Sequence, residues 1–297
     1  MIVKSIFPFI AISFFLLAVV LHNKSVFTRT RSGKESSSLS GEVRASLLTV
    51  GKVAGALGWL AFAVYCIFEV LYYLMQGEYY DTSLAVVFLA FSILMAGLLL
   101  NWKLLAREEG ADELLFTITK IALICAVLYF PFSEVAHLGR LLIYLTTRIT
   151  VAVLNLFNVG VYIVYPSSIY TTQSSFHEIY KPIEIILACT AIESMVLFTG
   201  LVFGVTAAID RKVKAFFVSV PIIYLLNIAR NVFVTAAYFG EWFGSPLQSF
   251  YIAHGIIARI FVMASLIVIA YAVFIILPES LDVIEDFFRM VLRKRRR

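Results

Sequence analysis

Charge is scarce in this sequence: 14% of its 297 residues are charged and 61% are hydrophobic, whereas soluble domains carry about 25% charged residues. That poverty excludes an ordinary soluble domain and leaves a polytopic membrane protein. Cysteine is scarce as well. Cys66, Cys125 and Cys189 lie far apart in apolar stretches, so neither a disulfide framework nor a zinc site with CxxC spacing is implied. Cys66 and Cys125 read as packing residues. His137, His177 and His254 lack paired ligand spacing, and no glycine-rich phosphate loop is present. No metal and no cofactor are therefore expected. The net charge of +5 does not point to nucleic acid, because the basic residues gather at membrane flanks, notably Arg293 to Arg297. They read as a topology signal and a contact for anionic lipid.

What is present is a series of apolar runs, each near the ~20 residues that a crossing needs. Residues 2–21 lack a small-x-small cleavage site and read as an uncleaved first span. Residues 22–49 form a basic loop with Lys24, Arg29, Arg31, Lys34 and Arg44, which the positive-inside bias keeps cytoplasmic. Residues 50–75, 84–102 and 114–132 are the next three spans. Residues 183–209, 213–239 and 252–277 are the last three, and 278–297 form a basic cytoplasmic tail.

Residues 137–182 differ. Arg140, Tyr144, Thr147, Arg148, Asn155 and Asn158 recur at helical spacing and draw a polar stripe along one face. Two arginines facing lipid are costly, so the stripe faces the interface or a wet cavity. A polar loop follows, from Ser167 to Pro182. Charge bookkeeping places the basic stretch Asp210 to Lys214 and the tail inside, so the loops before Cys189 and after Phe239 are outside. A crossing at 137–165 would break the alternation. The expected architecture is one all-α polytopic membrane domain with about seven transmembrane helices plus an amphipathic re-entrant or interfacial helix on the outer side. Eight crossings are the alternative.

Chemistry gathers in residues 183–277. Cys189 and Glu193 are four apart and would share a face of a continuous helix. Arg230 stands deep in an apolar span, within Asn227-Ile228-Ala229-Arg230-Asn231. His254 opens the next span and Arg259 follows it. Counting ~1.5 Å per residue from the outer helix ends puts Cys189 roughly 8 Å deep, Arg230 about 12 Å deep and His254 near the boundary. A thiolate nucleophile, a histidine to carry its proton and a cation to hold an oxyanion suit acyl transfer. The residue types alone leave other readings open. Cys189 packs equally well as a small hydrophobe, Arg230 and Glu193 could form a structural pair, and Asn227 and Asn231 could be interhelical glue. A transporter with Arg140, Arg148, Glu193 and Arg230 along its path is the alternative function, although no inverted repeats are visible.

The segments Ala188-Cys189-Thr190-Ala191-Ile192-Glu193-Ser194-Met195, Asn227-Ile228-Ala229-Arg230-Asn231 and His254-Gly255-Ile256-Ile257-Ala258-Arg259, in that order, resemble the exosortase/archaeosortase family. The resemblance implies a membrane-embedded cysteine transpeptidase. Its partners would be surface proteins, S-layer glycoproteins among them, that end in a tripartite signal of Pro-Gly-Phe, a transmembrane helix and a basic tail. Cleavage would pass through a thioacyl intermediate, and the new C-terminus would go to a lipid acceptor. Cys189 would be the nucleophile and Arg230 the stabilising cation. His254 would be the third residue, as general acid and base, with Arg259 as the alternative. Glu193, Asn227, Arg259, Arg140 and Arg148 are expected to contact substrate or lipid, on the extracytoplasmic side of the cell membrane.

Overall fold

The computed structural model describes residues 2–31, 38–101, 110–173 and 181–293. Lys34 of the basic loop, the 102–109 connection, His177, Glu178 and Tyr180 of the polar loop, and the tail beyond Arg293 lie outside the described residues. The chain is a helical multi-pass membrane protein, and the described residues include seven helices long and apolar enough to cross a bilayer. It divides into two compact units.

The first unit comprises the described residues up to Val127, together with Phe203–Val205 and those from Asp282 on. Helices α1 (Ile2–Arg31), α2 (Ser38–Gln76) and α3 (Tyr79–Leu100) join the start of α4 (Ala111–Glu134). Its core holds Phe15, Trp59, Met95, Leu99 and Leu115. Trp59 donates from Nε1 to Thr119 Oγ1 at 3.1 Å, which keeps a buried indole paired. Close approach of α1 and α2 requires Gly58, where a Cβ would come within 2.6 Å of the Phe15 ring. Lys4 and Glu69 form an ion pair at 2.7 Å, with the Tyr65 and Tyr72 rings 5.5 and 5.4 Å from the ammonium.

The second unit comprises Leu128–Val202 and Thr206–Leu281. Helix α5 (Ala136–Leu156) is followed by strands β1 (Val161–Val164), β2 (Ser168–Thr171) and β3 (Ile183–Glu184), then by a 3-10 turn at Leu187–Thr190 and helix α6 (Ile192–Gly204). Helix α7 (Ile209–Phe239) follows. The short α8 (Pro246–Phe250) runs through a π-helical turn at Tyr251–Ile257 into α9 (Ala258–Ile276), and α10 (Glu279–Arg293) ends the described chain.

The number of spans agrees with the expectation, but their membership differs. The expected span at 183–209 is not a continuous helix. It begins as β3, turns through the 3-10 segment, and passes Ala191 in the left-handed region at φ +58°. The helix that remains has 13 residues, short of the ~20 needed to cross. The cause is hydrogen bonding that a helix would not allow. Ile185 N–H donates to Ser167 C=O at 2.9 Å, and the Cys189 carbonyl is captured by side chains of α7. Conversely, the polar-striped segment provides one of the seven candidate spans as α5. It stops at Leu156 rather than Tyr165, because Asn158 turns left-handed at φ +58°. Asn155 also clamps Val161, accepting from its N–H at 3.1 Å and donating to its carbonyl at 3.0 Å.

Within the polar loop expected at 167–182, Ser168–Thr171 form β2, the middle strand of a three-stranded antiparallel sheet in the order β1-β2-β3. Among the described residues this sheet is the departure from the expected all-α architecture. The basic stretch 210–214 is not a loop either, since it forms the first turns of α7.

Candidate active site

The site grows from two asparagines one turn apart on α7. Positions 227 and 231 share a helix face, and both residues are buried, at 8% and 4% exposure. An amide side chain buried in an apolar helix must find a partner, and here both find the same one. Asn227 Nδ2 donates to the Cys189 carbonyl at 2.7 Å, and Asn231 Nδ2 donates to it at 2.9 Å. Both lone pairs of that carbonyl are thereby used. The Cys189 N–H donates to the Ile186 carbonyl at 2.9 Å, and the Thr190 hydroxyl donates to the Leu187 carbonyl at 2.6 Å. The backbone of the cysteine is therefore held on both sides.

The network continues outward from Asn231. Its Oδ1 accepts from Arg230 Nη1 at 3.2 Å, and Arg230 Nη2 lies 3.2 Å from His254 Nδ1. Arginine only donates, so Nδ1 is the acceptor and the ring proton sits on Nε2. The imidazole is also stacked on Phe250, with centroids 4.9 Å apart and planes within 6°. Cys189, Asn231, Arg230 and His254 thus form one connected line drawn from three elements. His254 occupies the π-helical turn, a local widening frequently found at functional sites.

The half-buried Cys189 packs against a cluster that includes Leu154, Ile169 and Ile185. Arg230 and His254 are also half-buried. Glu193 does not share a helical face with Cys189, because the left-handed Ala191 separates the 3-10 turn from α6. It is exposed in the first turn of α6. Arg259 is exposed in the first turn of α9. Arg140 and Arg148 are exposed on α5, with Arg140 Nη2 3.0 Å from His137 Nδ1. Among the described residues no group of three His, Cys, Asp or Glu side chains is arranged to hold a metal ion.

Two features were not read from the sequence. One is the Phe250 stack, whose signal was the aromatic one helical turn before His254. The other is the double capture of one backbone carbonyl by Asn227 and Asn231, for which the sequence offered only the open reading of interhelical bonding.

The profile of the transmembrane exosortase family matches residues 38–273, which include the whole network. The chain belongs to the transmembrane exosortase family. Archaeosortase A of Natronomonas pharaonis is 26% identical to this chain over 275 residues, covering 85% of this chain and 84% of the relative. Archaeosortase A of Haloferax volcanii is 34% identical over 123 residues, covering 37% of this chain and 41% of the relative. No solved structure matches it.

Proposed function

We propose that this exosortase is a cysteine transpeptidase of the archaeosortase kind, acting on surface proteins that end in a Pro-Gly-Phe motif, a transmembrane helix and a basic tail. The observation that carries the reading is the single hydrogen-bonded line from the Cys189 backbone through Asn231 and Arg230 to His254. A structural cysteine has no need of a cation and an imidazole on the network that holds it.

In this mechanism the bound scissile carbonyl draws the Arg230 guanidinium away from His254 Nδ1, which then takes the Cys189 thiol proton. The thiolate attacks that carbonyl carbon, forming the C–S bond, while Arg230 donates to the developing oxyanion. The imidazolium then returns that proton to the departing amine as the C–N bond breaks. The resulting thioester is attacked by a lipid nucleophile, which restores the thiol and leaves the surface protein anchored. The catalytic elements lie within residues 183–277, on the extracytoplasmic side. Arg140 and Arg148 on α5 face lipid phosphate or substrate, while Glu193 and Arg259 border the substrate path. Asn227 acts through Cys189 rather than by touching substrate.

The test is co-expression with a substrate bearing the tripartite signal, followed by mass spectrometry of its C-terminus. Wild-type protein should yield a shortened, lipid-bearing product. Cys189→Ala and Cys189→Ser should insert normally and leave the substrate whole. Processing that persists in either variant refutes the mechanism.

A further inference from the structure

The stretch immediately before Cys189 is an edge strand whose outward backbone groups have no partner among the described residues. Ile183, Glu184, Ile185 and Ile186 alternate buried, exposed, buried, exposed, the period of a strand with one covered face. Ile186 retains extended geometry at φ −104°, ψ 173°. The register pairs Ile169 with Ile183 and Ser168 with Glu184, and Ile185 N–H donates to Ser167 C=O. In an antiparallel ladder, hydrogen-bonded and non-hydrogen-bonded pairs alternate. The pairs of 183 and 185 are therefore the bonded ones, and the Glu184 N–H and C=O point away from β2. By the same parity the Ile186 N–H points outward, while the Ile186 carbonyl accepts from Cys189 N–H.

Among the described residues no strand pairs with this side of β3. The β1 edge is treated differently, since Asn155 occupies both backbone groups of Val161. Pro182 lacks an N–H, so the outward donor pattern begins at Glu184 and runs toward the cysteine. An open strand edge is not stable against lipid hydrocarbon, and in a membrane protein it belongs to a wet or occupied surface. Ile186 is 57% exposed beside that edge.

We infer that the β3 edge is the substrate-binding strand: an extended polypeptide segment beside the scissile bond pairs with Glu184 and Ile186 by β-augmentation. Glu184 N–H, Glu184 C=O and Ile186 N–H form a donor, acceptor, donor series that any extended peptide complements. The strand leads directly into the turn that carries Cys189, so pairing there sets the register of the peptide relative to the thiol. Side chains then select by position while the main chain supplies the affinity. This inference rests on the transpeptidase reading.

Two measurements test it. The first needs no catalysis. In a chain carrying Cys189→Ala, Cys66→Ala and Cys125→Ala, the substitution Glu184→Cys is oxidised against substrates with single cysteines at successive positions around the Pro-Gly-Phe motif. Disulfide formation should peak at every second position, the period of a strand. A period of three or four, or equal yields along the series, overturns the inference. So does preferential bonding between residues 184 of two copies of the chain.

The second measurement compares Glu184→Pro with Glu184→Ala. Proline deletes only the outward N–H and leaves the ladder to β2 intact, a position where edge strands tolerate it. Glu184→Pro should lower kcat/KM about tenfold below Glu184→Ala, the scale of one lost hydrogen bond, with equal melting temperatures in the two variants. Equal effects of the two substitutions overturn the inference. The readings fail separately. Processing by Cys189→Ser removes the transpeptidase yet leaves the cross-linking period to report the edge, whereas an inactive Cys189→Ser with a helical period removes the edge alone.

Discussion

Arg230 Nη2 lies 3.2 Å from His254 Nδ1, and the direction of that hydrogen bond decides what the histidine can do. While Nδ1 accepts from the guanidinium it cannot also carry a proton, so His254 becomes a proton carrier only after Arg230 turns to another acceptor. The substrate carbonyl is the acceptor that the proposed mechanism provides. His254→Ala and His254→Asn separate proton transfer from positioning, because asparagine retains an acceptor near Nδ1. Both variants should lose about a hundredfold or more in turnover and flatten the pH dependence of kcat. A His254→Asn variant with near-wild-type turnover would reduce His254 to a holder of Arg230.

Arg259 provides the contrast. It is exposed in the first turn of α9, outside the line that joins His254 to Cys189. A side chain there can meet an anionic group on substrate or lipid but has no bond to the nucleophile's network. Arg259→Gln should therefore raise KM several-fold and change kcat little, a loss of binding that is shared by ground and transition states. A collapse of kcat instead would make Arg259 the third catalytic residue.

Asn227 and Asn231 hold one carbonyl between them, which makes their energies interdependent. Asn227→Ala leaves the Cys189 oxygen with one donor and should cost about 1 kcal/mol. Asn231→Ala also removes the acceptor for Arg230 Nη1 and should cost more activity than stability. The double variant strands a carbonyl in an apolar site. Its destabilisation should exceed the sum of the singles, since residues of one network are not additive. Thermal unfolding in detergent, run beside the processing assay, measures all three.

The legible part of this protein was its chemistry by residue type. Arg230 in an apolar run, and asparagines four apart around it, could be recognised because polar side chains at that depth demand partners. Hydropathy failed at residues 183–209, since it reads the apolar run around Ile183, Ile185 and Ile186 identically as strand or helix. What decides that segment is distant in sequence: Ser167 takes the Ile185 N–H, and α7 takes the Cys189 carbonyl. The end of α5 failed for a related reason. Asn155 and Asn158 fit the helical stripe by spacing, yet one clamps β1 and the other turns left-handed.

In the first unit, Lys4 and Glu69 are mostly buried, with side-chain exposures of 26% and 14%. Removing one partner leaves a charge without its counter-ion among aromatic rings. Lys4→Met or Glu69→Met alone should destabilise by about 3 kcal/mol, whereas the double substitution should lie much closer to wild type. Melting temperatures of the three variants form a double-mutant cycle, and a loss in the double variant equal to the sum of the two single losses would assign the pair no coupling.

Glu279, just beyond the last apolar span, accepts from Arg211 Nη1 at 3.0 Å. That hydrogen bond, ahead of the backbone and charge contributions, holds its carboxyl below the ordinary value of 4.5. A depressed carboxylate pKa stabilises the fold above the unfolded value and loses that contribution as pH falls through the folded one. Wild-type protein should therefore melt above Arg211→Gln by a margin that is constant near neutral pH and closes below about pH 4.5. Both side chains are about a third exposed, so added salt should narrow the margin as well. A margin that widens on acidification would mean that Arg211 stabilises the protein through something other than the Glu279 carboxylate.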